Sequence, residues 1–129
     1  MTTWAHLRGY IENNYKIAAD DGDRLSLLCN VGDMRSQLLI VYSVEQKDGT
    51  EWFFIESGIG KVGQVDLLDA ARTINGLVCG ALAVSGDYVI VRHSAPVADL
   101  NAEEFEKPFW SIAHTADELE RRLVGGDSF

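Results

Sequence analysis

Hydrophobic residues follow two different periods along the chain, and the change of period predicts where helices give way to strands. Apolar residues recur at helical spacing at Trp4, Leu7 and Ile11, again over 66–75, and again over 105–123. Between these stretches, short runs alternate every second residue and are separated by turns rich in Gly and Asp, which is typical of strands joined by hairpins. The predicted element order is α-β-β-β(-β)-α-β-β-α, with about five to six strands.

The strand pattern predicts an antiparallel sheet. The predicted strands cover 15–19, 24–31, 35–45, 51–57, 77–84 and 88–94. Most connections between consecutive strands are a few residues long, and parallel neighbours need much longer crossovers. In the strand over 35–45, the alternation predicts one apolar face made of Leu38, Ile40, Tyr42 and Val44. The sequence therefore predicts an α+β domain built on an antiparallel meander.

The last helix has the clearest amphipathic pattern. Asn101 with Glu104 three residues later is a plausible capping box, and Gly125-Gly126 is predicted to end the helix. Pro108 is predicted to kink the helix or delay its start, because proline lacks the N–H that an interior helical position uses. The apolar stripe consists of Phe105, Phe109, Ile112, Ala116, Leu119 and Leu123.

Composition and charge narrow the function classes. The 129 residues carry 11 Lys and Arg against 20 Asp and Glu, a formal charge of −9, and 47% of them are hydrophobic. This length predicts a single domain over 1–129, and the negative charge speaks against nucleic acid or anionic lipid as a partner, because both need clustered cations. No apolar run approaches the roughly 20 residues of a membrane helix, and no cationic leader is visible. We therefore expect a cytoplasmic chain without a membrane partner.

The glycine-rich segment Gly58–Gly63 is the one motif that formally matches a nucleotide site. Its GxGxxG spacing lets backbone approach a pyrophosphate where a strand leads into a helix. Here the preceding strands form a meander, and Asp66 at the start of the next helix would repel phosphate. We interpret the segment from Gly58 to Val65 as a connector, and small-molecule or nucleotide binding there is the alternative function.

The other polar clusters lack the arrangement of a catalytic or metal site. On a strand, His93 points away from Arg92 and Ser94, so it cannot act as base for the adjacent serine. Cys29 and Cys79 have no metal-ligand spacing and are expected to be buried, reduced thiols. The charged residues predicted on the solvent face of the last helix are Asp117, Glu118, Glu120, Arg121 and Arg122. We expect no enzyme activity, no cofactor and no metal.

One strand has large apolar side chains on both faces. Consecutive Trp52, Phe53, Phe54 and Ile55 place bulky groups alternately on either side of the sheet. Either both faces are covered, or one face is a docking surface for another chain. Trp52 and Phe54 are the candidate partner-binding residues.

Seven short motifs, spread over nearly the whole chain, are similar to those of a known family. They are Trp4-x-x-Leu7, Asp21-Gly22-Asp23-x-Leu25, Arg35-Ser36-Gln37, Ser57-x-x-Gly60, Ala70-Ala71-x-x-Ile74-Asn75, Gly86–Ser94, and Ala113-x-x-Ala116-Asp117-x-Leu119-Glu120. On these motifs the chain resembles the YbjN family of bacterial sensory-transduction or chaperone-like proteins, whose domain is similar in fold to type III secretion chaperones.

The resemblance implies a twisted antiparallel sheet with helices on one face and, commonly, a homodimer. Type III secretion chaperones hold non-folded stretches of a secreted partner on their surface and use no cofactor, so the resemblance implies a protein client that the sequence does not identify. We expect a non-enzymatic, chaperone-like or regulatory interaction domain that self-associates. The second predicted helix and the strand after it present small and apolar groups over a broad front, and the expected dimer interface comprises Leu67, Ala70, Ala71, Ile74, Val78 and Leu82.

Overall fold

The computed structural model describes residue 1 and residues 3–124, which contain three helices and six strands in the predicted order. The helices are α1 (Trp4–Asn14), α2 (Leu67–Asn75) and α3 (Ala102–Leu123). The strands are β1 (Ile17–Asp20), β2 (Arg24–Gly32), β3 (Arg35–Glu45), β4 (Glu51–Lys61), β5 (Ala81–Ser85) and β6 (Tyr88–Pro96). The α+β class predicted from the sequence is confirmed.

All six strands form one antiparallel sheet in the spatial order β1-β2-β3-β4-β6-β5. The first four strands are a meander joined by short turns, and Gly22 and Gly49 lie in two of these turns with positive φ, which glycine adopts without steric cost. The chain then crosses through α2 to the far edge and returns as β6, beside β4. The sheet centre is therefore β3, β4 and β6.

The core lies between one face of the sheet and the helices. Thr3 caps α1 by accepting the backbone N–H of His6, and Leu7 and Ile11 of that helix are fully buried. The long helix α3 contacts β2, β3, β4 and β6. Five of the six residues of its predicted apolar stripe are buried, and Leu123 is half-buried. The largest fully buried side chains of the sheet and of α3 are Leu25, Leu27, Leu39, Phe53, Ile55, Ile59, Phe105, Phe109, Ile112 and Leu119.

The apolar face predicted for β3 is not the face of this strand that packs on the core. The buried side chains of this strand are Gln37, Leu39 and Val41. The apolar stripe that contains Leu38 and Ile40 therefore points away from the core. Both faces of β3 carry apolar side chains, so alternation alone does not identify which face packs against the helices.

Two strand boundaries differ from the prediction by four residues. β4 continues through Lys61, so the first half of the segment predicted as a connector belongs to the strand; a β-bulge lies between Gly58 and Gly60. β5 begins only at Ala81, and the residues before it form a loop that includes Gly80 at φ +111. Val78 is consequently a loop residue rather than a strand residue.

The helix α3 begins at Ala102 and continues through Pro108 without interruption, so the predicted delay of its start is wrong. Asn101 and Glu104 form the predicted capping box, with the side chain of each bonded to the backbone N–H of the other at 2.8 and 3.0 Å. The predicted stop at Gly125-Gly126 lies outside the described residues.

Two acidic residues of α3 are buried, which contradicts their predicted place on the solvent face. Asp117 is 4% exposed and Glu120 is fully buried. Arg35, at the start of β3, lies 2.7 Å from the Asp117 carboxylate and 3.7 Å from that of Glu120. Arg121 also reaches Asp117, at 3.1 Å. Buried carboxylates need such partners, and no local pattern in the sequence relates these two to an arginine more than eighty residues away.

Among the described residues, no helix combines the length and the apolar character needed to cross a membrane.

Candidate functional site

The face of the sheet opposite α1 and α3 carries a broad apolar surface that does not belong to the core cluster. We call it the open face. Its large side chains come from four strands, β2, β3, β4 and β6: Leu28, Leu38, Ile40, Tyr42, Trp52, Phe54, Tyr88 and Ile90, of which Ile90 is only 6% exposed. None of them packs into the hydrophobic cluster under the helices, and Leu28 and Tyr88 are 60% and 44% exposed. An antiparallel sheet with one solvated face is usually polar there, so this surface is unusual.

Cross-strand register places the open-face residues in rows. Tyr42 lies opposite Phe54, and their rings stack with centroids 5.1 Å apart. In the next row, Ile40 lies opposite Glu56, which lies opposite Arg92 on β6. These rows join β3, β4 and β6, the three central strands, into one continuous surface.

A charged group lies in the middle of this apolar surface. The carboxylate of Glu56, only 6% exposed, accepts a hydrogen bond from Arg92 Nε at 2.7 Å and another from the Tyr42 hydroxyl. The Arg92 guanidinium lies 4.8 Å from the Phe54 ring centroid, and Arg24 lies 4.5 Å from that of Tyr42. Burial and the bond to Glu56 raise the pKa of Tyr42 to about 12, so this hydroxyl stays protonated and donates throughout the physiological range.

The open face has a net charge opposite to that of the chain. The strand residues that point to it include three cations, Arg24, Lys61 and Arg92, against one carboxylate, Glu56, a balance of +2. The whole chain carries −9. The excess of acidic residues therefore lies outside the open face. An acidic partner is repelled less by the open face than the net charge of the whole chain suggests.

A depression of about 260 Å³ crosses the open face. It is lined by Arg24, Leu38, Ile40, Glu56, Gly58, Ser85, Tyr88 and Ile90. Gly58 contributes no side chain, and its neighbours on the adjacent strands are aliphatic. On β6 it is paired with Ile90. On β3, Ile40 is paired with Glu56, so Leu38, two residues before Ile40, lies beside Gly58. A missing side chain in the middle of an apolar row accounts for the hollow.

The two predicted partner-binding residues lie on this face. Trp52 and Phe54 are half-buried on the open face, whereas Phe53 and Ile55, between and after them, are fully buried in the core. Leu28, Leu38, Tyr88 and Ile90 were not predicted as partner-binding residues, although the apolar face predicted for β3 includes Leu38.

The predicted dimer-interface residues divide into exposed and buried members. Leu67 and Val78 are 40% and 107% exposed and Ala71 is exposed, but Ala70 is fully buried against the core. Ile74 and Leu82 are half-buried and pack against the core cluster. Two further exposed side chains, Leu68 and Leu77, extend this surface. We call Leu67, Leu68, Ala71, Leu77 and Val78 the α2 patch.

The thiol of Cys79 lies 3.5 Å from His93 Nδ1 in a cleft between β6 and α3. Cys79 is half-buried rather than buried as predicted, whereas Cys29 is buried. Burial raises the pKa of the Cys79 thiol and lowers the pKa of His93, and both directions favour the neutral forms. A thiolate nucleophile needs the opposite shifts. His93 and Ser94 point to opposite faces of β6, as predicted.

The glycine motif does not form a phosphate loop. Gly58 and Gly60 are paired strand residues of β4, and a Cβ on Gly60 would lie 2.8 Å from side-chain methyl groups of Val65 and Val124. The N-terminus of α2 is capped by the Asp66 carboxylate, which accepts the N–H of Asp69 at 3.0 Å. Close packing, rather than approach to a ligand, explains the glycine at position 60.

Within residues 3–124 and at residue 1, no group of three or more His, Cys, Asp or Glu side chains could hold a metal ion. Comparison of the chain with protein-family models, with curated proteins and with solved structures finds no match.

Proposed function

We propose that the chain is a non-enzymatic protein-interaction domain that binds an extended, apolar segment of another protein on its open face. The observation that supports the proposal is the apolar and aromatic surface spread over β2, β3, β4 and β6 outside the core cluster. Exposed apolar patches of this kind mark interaction sites in folded proteins. A chaperone-like role and a regulatory role both use such a surface.

The shape of the surface favours an extended partner. The open face consists of paired strands, and side chains of a strand alternate, so every second residue of an extended segment can contact it. Charge also affects which segment binds, because a face with a net charge of +2 favours a segment of neutral or acidic character. The two free cysteines are in keeping with action in the reducing cytoplasm.

Binding is tested with a fluorescein-labelled, amidated twelve-residue peptide that alternates leucine and serine, followed by anisotropy. We expect saturable binding, weakened at least about tenfold by Leu38→Lys, because burial of one leucine contributes about 1.5–3 kcal/mol. Leu38 is 36% exposed, so the substitution leaves the core intact.

Met34→Lys is the matched control for this experiment. Met34 is 102% exposed in the turn between β2 and β3, away from the open face, and its substitution is expected to leave binding unchanged. Equal weakening by both substitutions, or no binding by the wild type, contradicts the proposed site.

We also propose that the domain self-associates as a symmetric dimer through the α2 patch. Five exposed or partly exposed apolar side chains on a short helix and the loop after it support this proposal. In a two-fold dimer the same patch serves on both copies, so the patch of one chain packs against that of the other. The open faces of both copies then stay available for partners.

Sedimentation equilibrium at tens of micromolar tests the dimer. The expected mass of the wild type is about twice the 14.2 kDa of one chain, and Val78→Asp is expected to yield the monomer mass by burying an unpaired charge in the interface. Met34→Asp places the same charge at an equally exposed position and is expected to leave the dimer intact. A monomeric wild type contradicts the proposed dimer.

A further inference from the structure

We infer that the depression at Gly58 binds the C-terminal residue of a partner chain, with its aliphatic side chain in the hollow and its carboxylate against Arg24. This inference rests on the proposed function and names the part of the partner that anchors it. Three observations carry it: the aliphatic walls, the size of the hollow, and Arg24 in its lining, which forms no ion pair with any residue that the structure describes.

The walls of the depression suit one branched aliphatic side chain. Leu38, Ile40 and Ile90 line it on the two sides of Gly58. Its volume of about 260 Å³ exceeds the roughly 150 Å³ of an apolar cavity that holds benzene. The hollow thus has room for a leucine-sized group together with the carboxylate of the same residue.

Arg24 supplies a cation without a carboxylate of its own. Among the described residues it forms no ion pair, and its guanidinium lies 4.5 Å from the centroid of the Tyr42 ring. The other charges at the depression are already matched, because Glu56 accepts hydrogen bonds from Arg92 and from Tyr42. Arg24 is therefore the group at this site that an incoming anion would meet, and charge-assisted hydrogen bonds to arginine are strong.

Geometry favours a chain terminus over an acidic residue directly after the apolar one. In an extended segment, the side chains of adjacent residues point to opposite faces. An apolar residue in the hollow therefore directs the side chain of a following Asp or Glu away from the sheet. A terminal residue instead carries its carboxylate on the same Cα as its apolar side chain, so both groups reach one depression.

The test compares three fluorescein-labelled hexapeptides by anisotropy: one ends in leucine with a free carboxylate, one ends in leucine amide, and one ends in serine with a free carboxylate. We expect the free leucine terminus to bind at least about tenfold more tightly than either other peptide, because it alone has both recognition groups. Equal affinity of the acid and the amide would overturn the inference.

Arg24→Gln is the decisive variant. Arg24 is exposed, so the variant keeps its fold, and the preference for the acid over the amide should fall to about twofold or less. Arg72→Gln, at an exposed position on α2, is the control and should retain the full preference. Gly58→Leu fills the hollow and should abolish binding of the leucine-terminated peptide; its fold is checked by circular dichroism.

Two outcomes separate this inference from the proposed function. If 4-methylpentanoate alone binds as tightly as the leucine-terminated hexapeptide, the site takes a small free acid and the inference about a chain terminus is wrong. If the amidated leucine–serine peptide binds the open face but the hexapeptides show no preference for the acid, the proposed function stands and only the anchor is wrong.

Discussion

Replacing Arg35 with methionine is expected to lower the free energy of unfolding by about 3–5 kcal/mol, because it leaves two buried carboxylates without their shared cation. Asp117 and Glu120 have side-chain exposures of 5% and 0%, and Arg35 itself is 17% exposed. Methionine keeps most of the side-chain volume, so the loss is electrostatic rather than a cavity. Urea unfolding monitored by circular dichroism measures it.

Arg121→Met is the matched control for this prediction. Arg121 also pairs with Asp117, at 3.1 Å, but its own side chain is 51% exposed. Solvent therefore screens this contact more than that of Arg35, and the expected loss of stability is smaller, about 1 kcal/mol. If the two variants lose similar stability, the buried cluster between β3 and α3 does not hold these elements together as described.

Truncation of two adjacent phenylalanines should have different effects: the first mainly lowers stability, and the second mainly weakens peptide binding. Phe53→Ala removes a fully buried ring that contacts Phe105 and is expected to cost about 3–5 kcal/mol of stability. Phe54→Ala removes a half-buried open-face ring stacked on Tyr42 and is expected to cost about 1 kcal/mol, while weakening binding of the leucine–serine peptide several-fold. Urea unfolding and anisotropy on both variants give the comparison.

The contrast between these neighbours separates a core role from a surface role. Both residues are phenylalanine, both lie in β4, and they differ only in the face to which they point. Comparable loss of stability from both substitutions would mean that the open face is structurally required and that Phe54 has no separate function in binding.

The sequence was sufficient for the architecture because its signals were local. Hairpin turns at Gly22 and Gly49, the capping box of Asn101 and Glu104, and the helical spacing of Phe105 through Leu119 each depend on residues close together in the chain. The element order followed from them. The end of β4 was missed because glycines ordinarily mark loops, whereas Gly60 is a strand residue packed against Val65 and Val124.

The site was harder to predict because it depends on which face of the sheet the helices cover. In β3, Leu38 and Leu39 lie on opposite faces, and both faces are apolar. Leu39 is buried because α3, from the far end of the chain, packs on its face. The Arg35–Asp117 contact joins residues 82 positions apart, and no spacing rule relates them. Trp52 and Phe54 were identifiable because four consecutive bulky residues must occupy both faces.

The most direct test of the open face as a binding surface is methyl NMR during titration with the amidated leucine–serine peptide. The chain carries an internal control, since Leu38, Ile40 and Ile90 lie on the open face and Leu39, Val41 and Val91 on the core face of the same strands. We predict that the methyl chemical shifts of Leu38, Ile40 and Ile90 change saturably and that those of Leu39, Val41 and Val91 change little. Shifts confined to the α2 patch or to α3, or no shifts at saturating peptide, would contradict this account of the protein.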